Sequence, residues 1–142
     1  MKVIELIHHK GATVVTINEH DSVATAARTL VKKNIGSVLV SNDSDKIVGI
    51  LTERDLIYGL ETHGADLNEV PVRDLMTIDM VKCQPDGDVN EAMSMMTSRR
   101  VRHLPVFDGD KLMGIISIGD LVNYRIEEIE TEAQHLRDYI AM

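Results

Sequence analysis

The chain carries one pattern twice. Gly49-Ile50-Leu51-Thr52-Glu53-Arg54-Asp55-Leu56 returns as Gly114-Ile115-Ile116-Ser117-Ile118-Gly119-Asp120-Leu121. Working outward, Ile35-Gly36-Ser37-Val38-Leu39-Val40 answers Val101-Arg102-His103-Leu104-Pro105-Val106, and the stripe from Val23 to Val31 answers that from Val89 to Met96. A chain of 142 residues is one domain's worth of polypeptide, so the duplication divides a single globule into two interdependent halves. Such repeats give pseudo-symmetric halves, with the seam between them as the natural ligand cleft.

Each copy reads as a lead-in, a strand, a helix, two strands and a helix. In the first copy Val14 to Ile17 is a strand, and Ser22 caps a helix with apolar residues at Val23, Ala26, Ala27, Leu30 and Val31. Asn34 ends that helix. Ile35–Val40 and Ile47–Leu51 are paired apolar runs, and a second helix follows from Thr52 to His63, stopped by Gly64. In the second copy Met80 to Cys83 is the strand, Asp88 and Glu91 have capping-box spacing, and Val101–Val106 and Leu112–Ile116 pair across Asp108-Gly109-Asp110. Beyond Asp120 the chain leaves the repeat. Ile126, Ile129, Ala133, Leu136 and Ile140 extend the last helix with the spacing of a coiled-coil seam, which predicts a subunit contact in preference to a helix packed on its own domain.

Charge and composition narrow the functions. A net charge of -8 argues against a nucleic-acid or anionic-membrane binder, so a bound phosphate needs a local group of cations. The chain has one Phe, three Tyr and no Trp, which removes base stacking on aromatic side chains. No run approaches the ~20 apolar residues of a membrane span, and the N-terminus lacks a signal-peptide core. With Cys83 alone there is no disulfide framework, and a cytoplasmic location is expected.

Thr52-x-x-Asp55 and Ser117-x-x-Asp120 are the strongest candidates for chemistry. A hydroxyl residue three before an acid at a helix start is a capping box, although that box favours the longer Glu or Gln. Both copies also follow directly on an apolar strand. There a helix N-terminus and a hydroxyl favour phosphate, and a carboxylate can accept both hydrogen bonds of a ribose diol. Arg102 and His103, at the mouth of a strand, form a candidate phosphate clamp with Lys82 and Arg54 as possible members. Gly36-Ser37 holds the matching place in the first copy, so the two sites cannot be chemically equal. His8-His9 lacks a third ligand in register and reads as polar surface, and Cys83 reads as a small core residue. Neither a metal site nor a catalytic residue is expected.

The order of elements, with Gly-apolar-apolar-Thr/Ser-x-x-Asp closing each copy, resembles the paired cystathionine-β-synthase (CBS) domain, or Bateman module. It is similar to small stand-alone bacterial CBS-pair proteins and to the regulatory insert of inosine monophosphate dehydrogenase. The resemblance covers essentially the whole chain, with residues 1–66 as the first motif and 67–142 as the second. It implies an α/β fold of two pseudo-symmetric β-α-β-β-α motifs packed through their sheets, with an extended C-terminal helix, and two clefts for adenosine compounds. One cleft would join Thr52, Arg54 and Asp55 to Cys83, Val101, Arg102, His103 and Pro105. The other would join Ser117, Gly119 and Asp120 to Thr16, Ile35, Gly36 and Ser37. Where the family's first strand often carries a ligand-facing Thr, Thr16 fits but the second copy has Lys82. The implied function is a non-catalytic sensor of AMP, ADP, ATP or NAD(H), forming a homodimer and acting on an unidentified regulated protein. The alternative is a dimerising interaction subunit with vestigial clefts.

Overall fold

The computed structural model describes residues 1–142. Its elements are α1 (Val3–Lys10), β1 (Thr16–Asn18), α2 (Val23–Lys33), β2 (Ser37–Ser41), β3 (Ile47–Thr52) and α3 (Glu53–His63). Two 3-10 turns, Gly64–Glu69 and Val72–Asp74, precede α4 (Val89–Arg99), β4 (His103–Asp108), β5 (Lys111–Ser117) and α5 (Ile118–Ala141). No helix is long and apolar enough to cross a membrane.

The chain forms two compact units, residues 13–80 and residues 1–12 with 81–142. The duplication is therefore kept with its lead-ins exchanged: the lead-in before each copy folds with the other copy.

In the unit of residues 13–80, β1 runs parallel to β2, and β2 pairs antiparallel with β3. The helix between β1 and β2 starts as expected, with the Thr25 N–H donating to Ser22 Oγ at 3.2 Å. It ends at Asn34, whose φ of 53° takes the left-handed turn that asparagine tolerates. Val23 is buried, and Ala26 and Leu30 enter a core with Ile17, Val38, Val40, Leu51 and Val72. Val31 does not follow them: it is 81% exposed, so the buried stripe is narrower than its spacing predicts.

The unit of residues 1–12 and 81–142 repeats the plan with a shorter sheet. β4 and β5 pair antiparallel, with the ladder shifted at Val106/Phe107 as β2 is at Val40/Ser41. The expected strand Met80–Cys83 does not form; only Cys83 makes an isolated parallel bridge to Val106. Two prolines explain the loss. In the other unit the parallel ladder is extended by Leu39 N–H donating to Val15 O (3.2 Å) and by Glu19 N–H donating to Ser41 O (2.9 Å). The corresponding places here are Pro105 and Pro85, which have no N–H to give. What survives is the central pair of bonds, Cys83 N–H to Pro105 O and Phe107 N–H to Cys83 O, both 3.0 Å.

The capping box predicted for Asp88 and Glu91 is also absent. Asp88 caps α4 through the Asn90 N–H instead (2.6 Å), while the backbone around it pairs with the chain start at Lys2. The core of this unit gathers Val3, Leu6 and Ile7 of α1 with Val89, Ala92, Met96, Leu104, Val106, Ile116 and Leu121. α5 contributes little to it beyond Leu121. Ile126, Ile129, Leu136 and Ile140 are 47%, 52%, 63% and 79% exposed.

The glycine that opens each repeated motif has one physical role in both units. A Cβ on Gly49 would lie 2.7 Å from Met76 Sδ and 2.9 Å from Thr77 O, and one on Gly114 would lie 2.8 Å from Ile7 Cδ1. In both units the missing side chain lets the exchanged lead-in lie against the strand.

Candidate functional site

In the unit of residues 13–80, β2 and β3 set Ser37 opposite Thr52, and the Glu53 N–H donates to Gly36 O at 3.2 Å. Gly36, Ser37, Thr52 and Asp55 therefore meet where α3 leaves the sheet. Ser37 is buried, Thr52 and Asp55 are half-buried, and Arg54 and Thr16 are exposed. The other unit repeats the construction: His103 lies opposite Ser117, and the Ile118 N–H donates to Arg102 O at 2.8 Å. His103, Ser117 and Asp120 are half-buried, Arg102 and Gly119 exposed. Within each unit, then, the duplication sets a residue of one expected cleft beside a residue of the other: Ser37 beside Thr52, and His103 beside Ser117.

Both hydroxyl–aspartate pairs are capping boxes. Thr52 N–H donates to Asp55 Oδ2 (2.9 Å), and Asp55 N–H donates to Thr52 Oγ1 (3.3 Å). Ser117 N–H donates to Asp120 Oδ2 (2.8 Å), and Asp120 N–H donates to Ser117 Oγ (3.1 Å). The expectation that the box wants Glu or Gln is corrected here, because aspartate closes it in both units. The extended backbone at Thr52 (φ -115°, ψ 167°) and Ser117 (φ -106°, ψ 165°) brings the cap N–H within reach of the shorter acid.

The exchanged lead-ins supply a contact that the repeated motifs do not announce. In one unit Thr77 does two things: its N–H donates to Ile50 O (2.8 Å), and its Oγ1 donates to Asp55 Oδ1 (3.1 Å). In the other, a single ammonium does both. Lys10 Nζ donates to Ile115 O (2.7 Å) and to Asp120 Oδ2 (2.6 Å). Each aspartate is thus held from the lead-in side, by a neutral donor in one unit and by a cation in the other. Sequence comparison of the repeats missed Lys10 and Thr77 because the lead-ins are dissimilar, one a helix and the other a pair of 3-10 turns.

The electrostatics follow from these contacts. Burial by itself would raise the Asp120 carboxyl, but the Lys10 hydrogen bond, the Ser117 backbone bond and the Lys10 charge bring it below its ordinary value of 3.8. What this pair adds to the fold is therefore complete at neutral pH and is lost as the pH falls through that lowered value. Cys83 is buried and burial pushes its thiol up to about 11, so it is protonated near neutrality, as suits a core residue. Pro105 is buried beside it, and Val101 half-buried. Lys82 lies with its Nζ 4.6 Å from the centre of the Phe107 ring, a cation–π contact within its own unit. Lys10 and Asp120 both line a cavity of about 660 Å³ between α1 and α5, together with Asn123, Tyr124 and, further along α5, Glu127 and Glu128.

The sequence matches the CBS domain family over residues 7–61 and again over 72–127. It is 32% identical to the mitochondrial CBS domain-containing protein CBSX3 of Arabidopsis thaliana, over 84% of this chain and 60% of that protein. The chain spans between 60% and 66% of the length of three curated relatives it matches. The crystal structure of the CBS-domain containing protein ATU1752 from Agrobacterium tumefaciens superposes with a TM-score of 0.84 at 40% identity, covering 87% of this chain and 92% of that one. The CBS domain pair of protein MJ0100, solved in complex with 5′-methylthioadenosine and S-adenosyl-L-methionine, shares the fold. Its TM-score is 0.78 at 21% identity, over 90% of this chain and 98% of that one.

Proposed function

Because this chain belongs to the CBS-domain family as a tandem pair, we propose that it is a non-catalytic regulatory module that reads the level of an adenosine compound. The observation that carries the reading is the doubled hydroxyl–aspartate helix start at Thr52–Asp55 and Ser117–Asp120; in this reading Ser117, Gly119 and Asp120 belong to one binding set, and Thr52, Arg54 and Asp55 to another. The two ligands of the MJ0100 pair have an adenosine group in common, which supports the same class here. AMP, ADP, ATP and NAD(H) are the candidates, with the aspartates taking ribose hydroxyls. A thermal-shift panel of these compounds and adenosine tests it. At a hundred times its dissociation constant, a ligand stabilises the fold by about 2.7 kcal/mol. For a chain of this size that raises the melting temperature by about 9 °C. No response to any of them would remove the reading.

The module acts as a homodimer in this proposal. α5 is 24 residues long, and its seam residues Ile126, Ile129, Leu136 and Ile140 stand exposed at coiled-coil spacing in the single chain. Sedimentation is expected to give a dimer for the full chain at micromolar concentration and a weaker one for a chain ended after Asn123. A monomeric full-length chain would contradict it.

A further inference from the structure

The duplication provides an internal control on the Lys10–Asp120 contact. Thr77 shows that the structural task, bonding the strand carbonyl and the aspartate together, is met by neutral donors. Lys10 meets the same task at Ile115 O and Asp120 Oδ2 and adds a full positive charge. That charge is surplus to the packing. We propose that Lys10 is a specificity-determining residue, whose ammonium makes the Asp120 set selective for adenosine compounds that carry a phosphate.

The reason is electrostatic. An aspartate that accepts ribose hydroxyls lies close to whatever is attached to the ribose, and its negative charge repels a phosphate there. An ammonium in direct contact with Oδ2 turns that isolated charge into a dipole, and neither it nor the Ser117 N–H takes up Oδ1. Lys10 and Asp120 are only 27% and 22% exposed at their side chains, so solvent screens the pair incompletely. Both line the open groove of about 660 Å³ between α1 and α5. The other acids of that groove begin at Glu127, about 10 Å further along the α5 axis. Around Asp120 itself the contacting charge is that of Lys10.

The inference rests on the adenosine reading, and the experiment separates the two. AMP and adenosine are titrated calorimetrically into the full chain and into Lys10→Gln, which keeps a neutral donor, and Lys10→Arg, which keeps the charge. Lys10→Gln is expected to weaken AMP about tenfold relative to adenosine, and Lys10→Arg to keep the wild-type ratio. In the unmodified chain, the AMP preference is expected to shrink as salt rises toward 1 M, a readout independent of any variant's folding. An AMP-to-adenosine ratio unchanged by Lys10→Gln, or by salt, overturns the role of Lys10 while leaving the adenosine reading intact. A wild-type chain that binds neither compound overturns both.

Discussion

Asp120→Ala is expected to abolish adenosine binding at its own set and to cost the fold about 1 kcal/mol. The second effect is the lost cap, since the Ser117 N–H then has no side-chain acceptor. The first follows from the diol: ribose hydroxyls that lose a carboxylate lose both the bonds and the geometry that orients the base. The two effects are measured separately, by calorimetric titration with adenosine and by urea denaturation. A variant less stable than wild type but with wild-type affinity would mean that Asp120 caps α5 and holds Lys10 without touching a ligand. Loss of binding with a folded chain places the carboxylate in the site. Asp120→Asn refines the result, because it keeps an acceptor for Ser117 while removing the charge that Lys10 faces.

The largest stability effect is expected in the core, at Ile7. Its side chain is 1% exposed and lies against Gly114, in the core that α1 shares with the second copy of the repeat. Ile7→Ala removes that packing and leaves a cavity, with an expected loss of about 2–4 kcal/mol in urea denaturation of the full chain. Val31→Ala is the control, at a position that is 81% exposed, and is expected to stay within about 0.5 kcal/mol of wild type. An Ile7 variant as stable as the control would mean that α1 is not part of the folded unit. A loss of the expected size confirms that the first residues of the chain complete the core of its second copy.

The sequence alone determined the repeated elements and most of their ends. Apolar periodicity placed α2 and α4, and Ser22 and Asn34 marked the limits of α2, because a cap is a local event settled by residues three or four apart. The doubled motif named the family and picked out Thr52, Asp55, Ser117 and Asp120 as a set, since the same spacing in two contexts leaves little room for coincidence. Tertiary structure decided what depends on residues distant in the chain. Pro85 and Pro105 were plain in the sequence, yet only the parallel ladder of the other unit shows which N–H groups they withhold. Val31 has the right spacing for burial and lies exposed, because the width of a buried stripe is fixed by the neighbour it meets. The exchange of lead-ins left no periodicity to read, and with it went Lys10 and Thr77. Their contacts with Asp120 and Asp55 join segments that no pattern in the chain connects. Spacing tells which residues face the same way, and only the packed fold brings a lysine near the start of the chain to an aspartate near its end.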